Sequence, residues 1–138
     1  MRELVRCYQA FEMLSASNIR TLGLTPSQFD IIATLGNTKG MTSKLLGEKT
    51  LITKGTMTGV VDRLIDKGLV RRTQCEYDGR SQIIQLTTEG EKVFESVFPI
   101  HVAYIGQFFE GVQPEDYVRI QEALRDLRML FEKSDKTP

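Results

Sequence analysis

Two short sets of residues in this chain have types and spacing suited to chemistry at a nucleic-acid surface. The first is Lys54-Gly55-Thr56-Met57-Thr58-Gly59, which opens a segment with apolar residues at Met57, Val60, Val61, Leu64 and Ile65. Those positions repeat as i, i+3, i+4, i+7 and i+8, which predicts a helix from Thr53, its cap, to about Lys67, stopped by Gly68. The stripe turns inward and leaves Lys54, Gly55, Thr56, Thr58, Gly59, Asp62 and Arg63 outward. Threonine hydroxyls and methyls can meet base edges, Lys54 can reach a phosphate or a guanine, and glycines let the backbone approach a groove closely. Threonine and glycine near a helix start also serve simply as caps and surface. Two mid-helix glycines, however, cost roughly 1 kcal/mol each relative to alanine, and no packing need for them is evident in the sequence. The second set is the turn Tyr77-Asp78-Gly79-Arg80. An arginine at such a tip normally just solvates; restrained by Asp78, it becomes a probe for a narrow, electronegative minor groove.

The segments that must hold these sets in place are well punctuated. Leu4, Tyr8, Phe11, Leu14 and Leu22 recur at helical spacing, and Gly23 ends that helix in a left-handed cap. Thr25, Pro26 and Gln28 form a helix start with a capping box, followed by Phe29, Ile32, Ala33 and Leu35, and Gly36 closes the stripe. Thr42 caps a short helix with Leu45 and Leu46 facing inward. After the Thr53 helix, Leu69 to Glu76 and Ser81 to Leu86 have strand character, and Thr87 or Thr88 starts a long final helical region. The order helix, helix, helix, two-stranded ribbon predicts a mainly α fold with a small β-ribbon, a winged helix-turn-helix. The lobe spans about 25–90 of a single domain covering 1–138, with helices over 1–22 and 91–133 and a frayed tail at 134–138.

The chain has 138 residues, with 18 Lys and Arg balancing 18 Asp and Glu. Charge is unevenly placed: Lys39 to Arg80 holds nine basic and five acidic residues, a net of +4. A neutral chain with a basic middle can still present one positive face to a polyanion. No stretch nears the ~18 uninterrupted apolar residues of a membrane span, and the charged N-terminus lacks an apolar signal core, so a cytoplasmic protein is expected. Cys7 and Cys75 match no disulfide or metal spacing and are expected to be reduced thiols. His101, the only histidine, leaves no histidine cluster for zinc, so neither a metal nor a cofactor is expected. There is no phosphate-cradling glycine motif, nucleophile elbow or Cys–His pair, so no enzyme is expected. A winged-helix adaptor for other proteins is the alternative, but it would not need the Arg80 probe or the basic middle. Twelve of the twenty residues from Val93 to Val112 are apolar, more than one buried helix face requires, which independently favours a dimer. Pro99 should kink that region. Pro114 starts a last helix with Tyr117, Ile120, Leu124, Leu127 and Phe131 as its stripe.

The ordered set resembles the MarR family of bacterial transcriptional regulators. The resemblance rests on Gly23-Leu24-Thr25, Thr56-Met57-Thr58-Gly59-Val60-Val61-Asp62-Arg63-Leu64, Lys67-Gly68-Leu69-Val70-Arg71-Arg72, Asp78-Gly79-Arg80-Ser81 and Leu86-Thr87-Thr88-Glu89-Gly90. It implies a homodimer on a pseudo-palindromic operator in double-stranded DNA. The Thr53–Lys67 helix would enter the major groove and the Asp78, Arg80, Ser81 wing the adjacent minor groove. Thr42, Ser43 and Lys44 would hold phosphates at a helix N-terminus. Asp62, Arg63 and Arg72 would mainly brace the lobe through ion pairs, with Arg63 also a candidate DNA contact. The terminal helices would interlock across a two-fold axis. The resemblance further implies repression relieved by a small lipophilic or aromatic effector, for which Tyr8, Phe11, Phe29 and His101 are candidate pocket residues, each equally at home in a packed core. Cys7 departs from the family's organic-hydroperoxide branch, whose sensing position would fall near residue 1. A redox-sensing repressor acting through Cys7 is therefore the alternative reading, and it needs an exposed thiol with a depressed pKa.

Overall fold

Two helix starts in the first half of the chain carry a threonine that takes up an orphan backbone N–H. In the computed structural model, which describes residues 1–50, 52–74 and 82–132 (Lys54 in its backbone only), the elements are α1 (Arg2–Thr21), α2 (Pro26–Leu35), β1 (Met41–Thr42), α3 (Ser43–Lys49), α4 (Lys54–Asp66), β2 (Val70–Gln74), β3 (Gln82–Leu86), α5 (Thr88–Gly106) and α6 (Pro114–Glu132). Thr25 and Gln28 form the expected capping box on α2, each side chain bonded to the other's backbone N–H at 3.2 and 3.1 Å. Thr42 caps α3 by accepting the Leu45 N–H at 3.2 Å. Gly23 has φ +80°, the left-handed conformation expected after α1.

Contacts divide the chain into two compact units, Met1–Ile105 and Gly106–Pro138. In the first, the sheet has order β1-β3-β2, antiparallel throughout, with Val70 opposite Leu86, Arg72 opposite Ile84, and Met41 also opposite Ile84. The expected ribbon is therefore three-stranded, because two residues, Met41 and Thr42, pair with β3. A two-residue strand shows no alternation in sequence. Ile31, Ile32 and Leu35 of α2, Leu46 of α3, Val61 and Leu64 of α4, Val70 of β2 and Ile84 of β3 make the fully buried centre. Each such side chain contributes about 1.5–3 kcal/mol by leaving water.

Several expectations are corrected. Leu45 is 40% exposed and only Leu46 of that pair packs inward, because one turn of helix has a single inner position here. Gly36 does close α2, as expected, at φ −55°. It is small because a Cβ there would run into the Phe94 ring. The apolar run from Val93 to Val112 is not one helix: α5 ends at Gly106, and a 3-10 turn follows at Gln107–Phe109. Pro99 lies inside α5, which continues through it. The tail at 134–138 lies outside the described residues.

Thr87 joins the ribbon to α5. Its Oγ1 donates to the Gly68 carbonyl at 2.6 Å and accepts the Gly90 N–H at 3.0 Å, while its own N–H donates to the Leu69 carbonyl at 3.0 Å. Gly90 is pressed so closely on the Leu69 carbonyl that a Cβ would overlap the oxygen. In the second unit, α6 buries no described residue, and Tyr117, Ile120, Leu124 and Phe131 of its expected stripe are all exposed. Phe109 packs edge-on against Tyr117, with ring centroids 5.8 Å apart. Among the described residues, no helix is long and apolar enough to cross a membrane.

Gly90→Ala forces a backbone shift and is expected to destabilise the fold by about 1–3 kcal/mol in urea unfolding. Gly47→Ala, whose Cβ meets nothing within 4 Å, should instead stabilise by up to about 1 kcal/mol. Equal effects at the two positions would refute the packing account of Gly90.

Candidate functional site

Four residues set the rotation of α4: Met57, Val60, Val61 and Leu64 are 5% exposed or less. The opposite side therefore carries Gly55, Thr56, Thr58, Gly59, Asp62 and Arg63, all exposed, as the spacing predicts. A Cβ at Gly55 or Gly59 would meet nothing within 4 Å. Their smallness serves no packing among the described residues. Thr53 occupies the N-cap position, but its hydroxyl is 3.0 Å from that of Thr56 and does not cap the backbone, which corrects its expected capping bond. Lys54 begins α4, and Cys75, Asp78, Arg80 and Ser81 lie outside the described residues.

The bracing expected of Asp62 and Arg72 is present: Arg72 Nη2 lies 2.7 Å from Asp62 Oδ1 and ties α4 to β2. Both partners are partly exposed, so the pair contributes on the order of 1 kcal/mol or less. Arg63 makes no ion pair among the described residues and stays on the outward face. Thr42, with its oxygen accepting from Leu45, keeps its hydroxyl proton for another partner, and Ser43 and Lys44 beside it are exposed. Ser43, Lys44, Thr58 and Arg72 border one concavity of about 510 Å³. Residues expected at the phosphates and at the bases thus share one surface.

A second depression, a cleft of about 790 Å³, is lined by Tyr8 and Phe11 of α1, Phe29 of α2 and His101 of α5. Those four candidates come from distant parts of the sequence and face one space. Ser15 and Arg20 of α1, Asp30 of α2 and Thr53 and Thr56 of α4 line it too, although nothing in the sequence marks them for it. Only the fold brings them together, and no spacing signals it. His101 is 7% exposed. Its Nε2 lies 3.2 Å from Ser15 Oγ and its Nδ1 2.8 Å from Asn18 Oδ1. Its ring meets Phe29 edge-on, with centroids 4.6 Å apart. Burial pushes the imidazole pKa below its ordinary value. The Tyr8 hydroxyl donates to Glu12 at 2.8 Å. That hydrogen bond, with desolvation and the Glu12 charge adding to it, holds the phenol above its ordinary pKa. Cys7 is exposed on α1, but the neighbouring Arg6 guanidinium is engaged by Glu3 at 3.3 Å. Among the described residues, no three His, Cys, Asp or Glu side chains gather as a metal would require.

The model of the MarR family matches residues 22–81, which hold strands β1 and β2 and helices α2 to α4. Over 111 residues the chain is 29% identical to the HTH-type transcriptional regulator YkoM of Bacillus subtilis, covering 78% of this chain and 72% of that one. AbsC, a MarR family transcriptional regulator from Streptomyces coelicolor, superposes with a TM-score of 0.85 at 25% identity, over 96% of this chain and 91% of AbsC. Residues 22–81 thus match the MarR family, and over most of its length the chain is similar to winged-helix, DNA-binding transcriptional regulators. It is also similar to BpsR of Bordetella bronchiseptica, whose DNA binding is regulated by 6-hydroxynicotinic acid. That likeness has a TM-score of 0.80 at 25% identity, over 92% of this chain and 91% of BpsR.

Replacing Gly55 or Gly59 by alanine should raise unfolding stability by up to about 1 kcal/mol each while weakening operator binding in fluorescence anisotropy. A stabilised variant with unchanged DNA affinity would remove the glycines from the interface. His101 yields a pH dependence of defined sign. Its folded-state pKa lies below the unfolded value of about 6.5. Its contribution is therefore fully present above that pH and is lost as pH falls toward the folded-state value, because the unfolded chain then binds the extra proton. The stability gap between the parent and His101→Gln should narrow between pH 7.5 and pH 5.5; a constant gap would contradict the burial effect.

Proposed function

We propose that this chain acts as a cytoplasmic homodimer that represses transcription from a pseudo-palindromic operator and is released by a small lipophilic or aromatic effector. The observation that carries the reading is the shared border of the cleft: Thr53 and Thr56, at the start of α4, line the same space as Tyr8, Phe11, Phe29 and His101. A molecule seated there touches the first turn of the helix that meets the major groove. The exposed apolar residues of α1 (Val5, Tyr8, Phe11), of α5 (Ile100, Val102) and of α6 (Ile120, Leu124, Leu130) support a second copy as their cover. BpsR, regulated by a hydroxylated aromatic acid, supports the effector class.

Two recognition helices must sit about 34 Å apart to enter successive major grooves on one face of the duplex. An effector that fits better when α4 is displaced draws the population toward that misfit state. Swinging the equilibrium fully takes a differential affinity of about 10⁴. In this reading Thr53, Lys54, Gly55, Thr56, Thr58, Gly59 and Arg63 serve the major groove, Thr42, Ser43 and Lys44 the phosphates, and Asp78, Arg80 and Ser81 the minor groove. The two glycines admit the close approach that α4 needs, and the Asp62–Arg72 pair holds that helix on the sheet while it binds.

Anisotropy with the DNA flanking the protein's own gene, titrated against salt, tests the reading. Arg80→Ala should lower affinity and flatten the slope of log K against log salt by roughly one unit. Thr56→Ala and Thr58→Ala should change the ranking of operator variants rather than weaken all equally. A protein that sediments only as single chains and prefers no duplex over random competitor would defeat the proposal.

A further inference from the structure

The cleft has a chemical polarity that follows from Ser15 and His101 in its lining and from Asn18 behind them. Asn18 presents Oδ1 to His101 Nδ1 at 2.8 Å. A carbonyl oxygen only accepts, so Nδ1 carries the proton of this bond. Burial keeps the ring neutral. A neutral ring protonated at Nδ1 has only a lone pair at Nε2, so the Ser15 hydroxyl, 3.2 Å away, must donate to it. The single proton of Ser15 is then committed. What Ser15 turns toward the cleft is oxygen lone pairs alone.

The charged side chains around the cleft point the same way. Those described are Glu12 and Arg20 on α1 and Asp30 on α2, two carboxylates to one guanidinium, while the α4 lining residues Thr53 and Thr56 are uncharged. The aromatic walls, Phe11 and Phe29, suit a ring, and the inner polar group suits a donor.

We propose that Ser15, with its proton held by the His101–Asn18 relay, selects effectors whose inner end is a hydrogen-bond donor, a phenolic or other ring hydroxyl, over those that present a carboxylate there. This rests on the cleft being the effector site and adds the ligand's polarity to that reading. Ser15 is the contact residue. His101 and Asn18 are positioning residues: Asn18 is absent from the cleft lining and acts only through the ring.

Calorimetric titration of the full chain with three matched probes tests it: 2-naphthol, 2-methoxynaphthalene and 2-naphthoate, at pH 7.5. The methyl ether keeps the ring and removes the donor; the carboxylate replaces it by an anion. The expected order is naphthol about tenfold tighter than the ether, the scale of one hydrogen bond, and tighter still than naphthoate. Ser15→Ala should abolish the naphthol advantage and leave the ether unchanged. Asn18→Asp places a carboxylate on Nδ1, which favours the imidazolium. Nε2–H then donates to Ser15, whose own proton turns to the cleft, so naphthoate should gain and naphthol lose. A merely structural Asn18 would not exchange the two preferences. If naphthoate equals or exceeds naphthol in the parent chain, or if Ser15→Ala keeps the naphthol advantage, the polarity assignment is overturned while the cleft stands as a ring site. If none of the three probes binds, the cleft itself is not an effector site, and the assignment falls with it.

Discussion

The rotation of α4 about its own axis is the constraint on which the rest of the DNA-facing surface depends. Met57, Val60, Val61 and Leu64 bury their side chains almost completely, and a 13-residue helix has only one way to do so. That single contact turns Gly55, Thr56, Thr58, Gly59, Asp62 and Arg63 outward together. A helix this short is marginal by itself, so its persistence comes from packing rather than propensity. The same packing tolerates two glycines whose side-chain space is open. The helix forgoes intrinsic stability at two exposed positions, Gly55 and Gly59.

The neighbours of α4 hold that orientation from two sides. On one, the Asp62–Arg72 pair reaches β2, and the hydrogen bonds of Thr87 to Gly68, Leu69 and Gly90 tie the strand and the start of α5 to the end of α4. On the other, the first turn of α4 borders the cleft, where Thr53 and Thr56 bond each other instead of capping the helix. At that first turn the Thr56 and Met57 N–H groups donate to the Thr53 carbonyl, and Met57 is buried.

His101 gives the cleft a rigid inner wall. A buried imidazole with both nitrogens bonded can neither turn nor change tautomer without losing a hydrogen bond, and an unmade bond at such depth is costly. The two bonds go to residues three apart on α1, which clasps that helix to α5 at the level of the cleft. The exposed apolar residues of α1 and α5 and those of α6 lie on surfaces that neither unit covers by itself.

By itself the sequence determined the elements and the face each one shows. The apolar stripe of α4, the Thr25–Gln28 capping box, the Gly23 turn and the strand character on either side of the wing depend on residues within a few positions of each other, and local geometry suffices to infer them. Periodicity also separated the outward set of α4 from its buried set. The tertiary structure alone decided what depends on distant partners. Met41 and Thr42 are a strand only because β3 is there to pair with them, and Gly36 is small only because Phe94 lies against it. Leu45 and Leu46 are alike in sequence, and just one finds a core to enter. Tyr8, Phe11, Phe29 and His101 could be named as candidates by type, but Ser15 and Asn18 became partners of a ring more than eighty positions away solely through the packing of α1 on α5. A contact between elements is a property of how their surfaces meet, and no spacing along one strand of sequence encodes it.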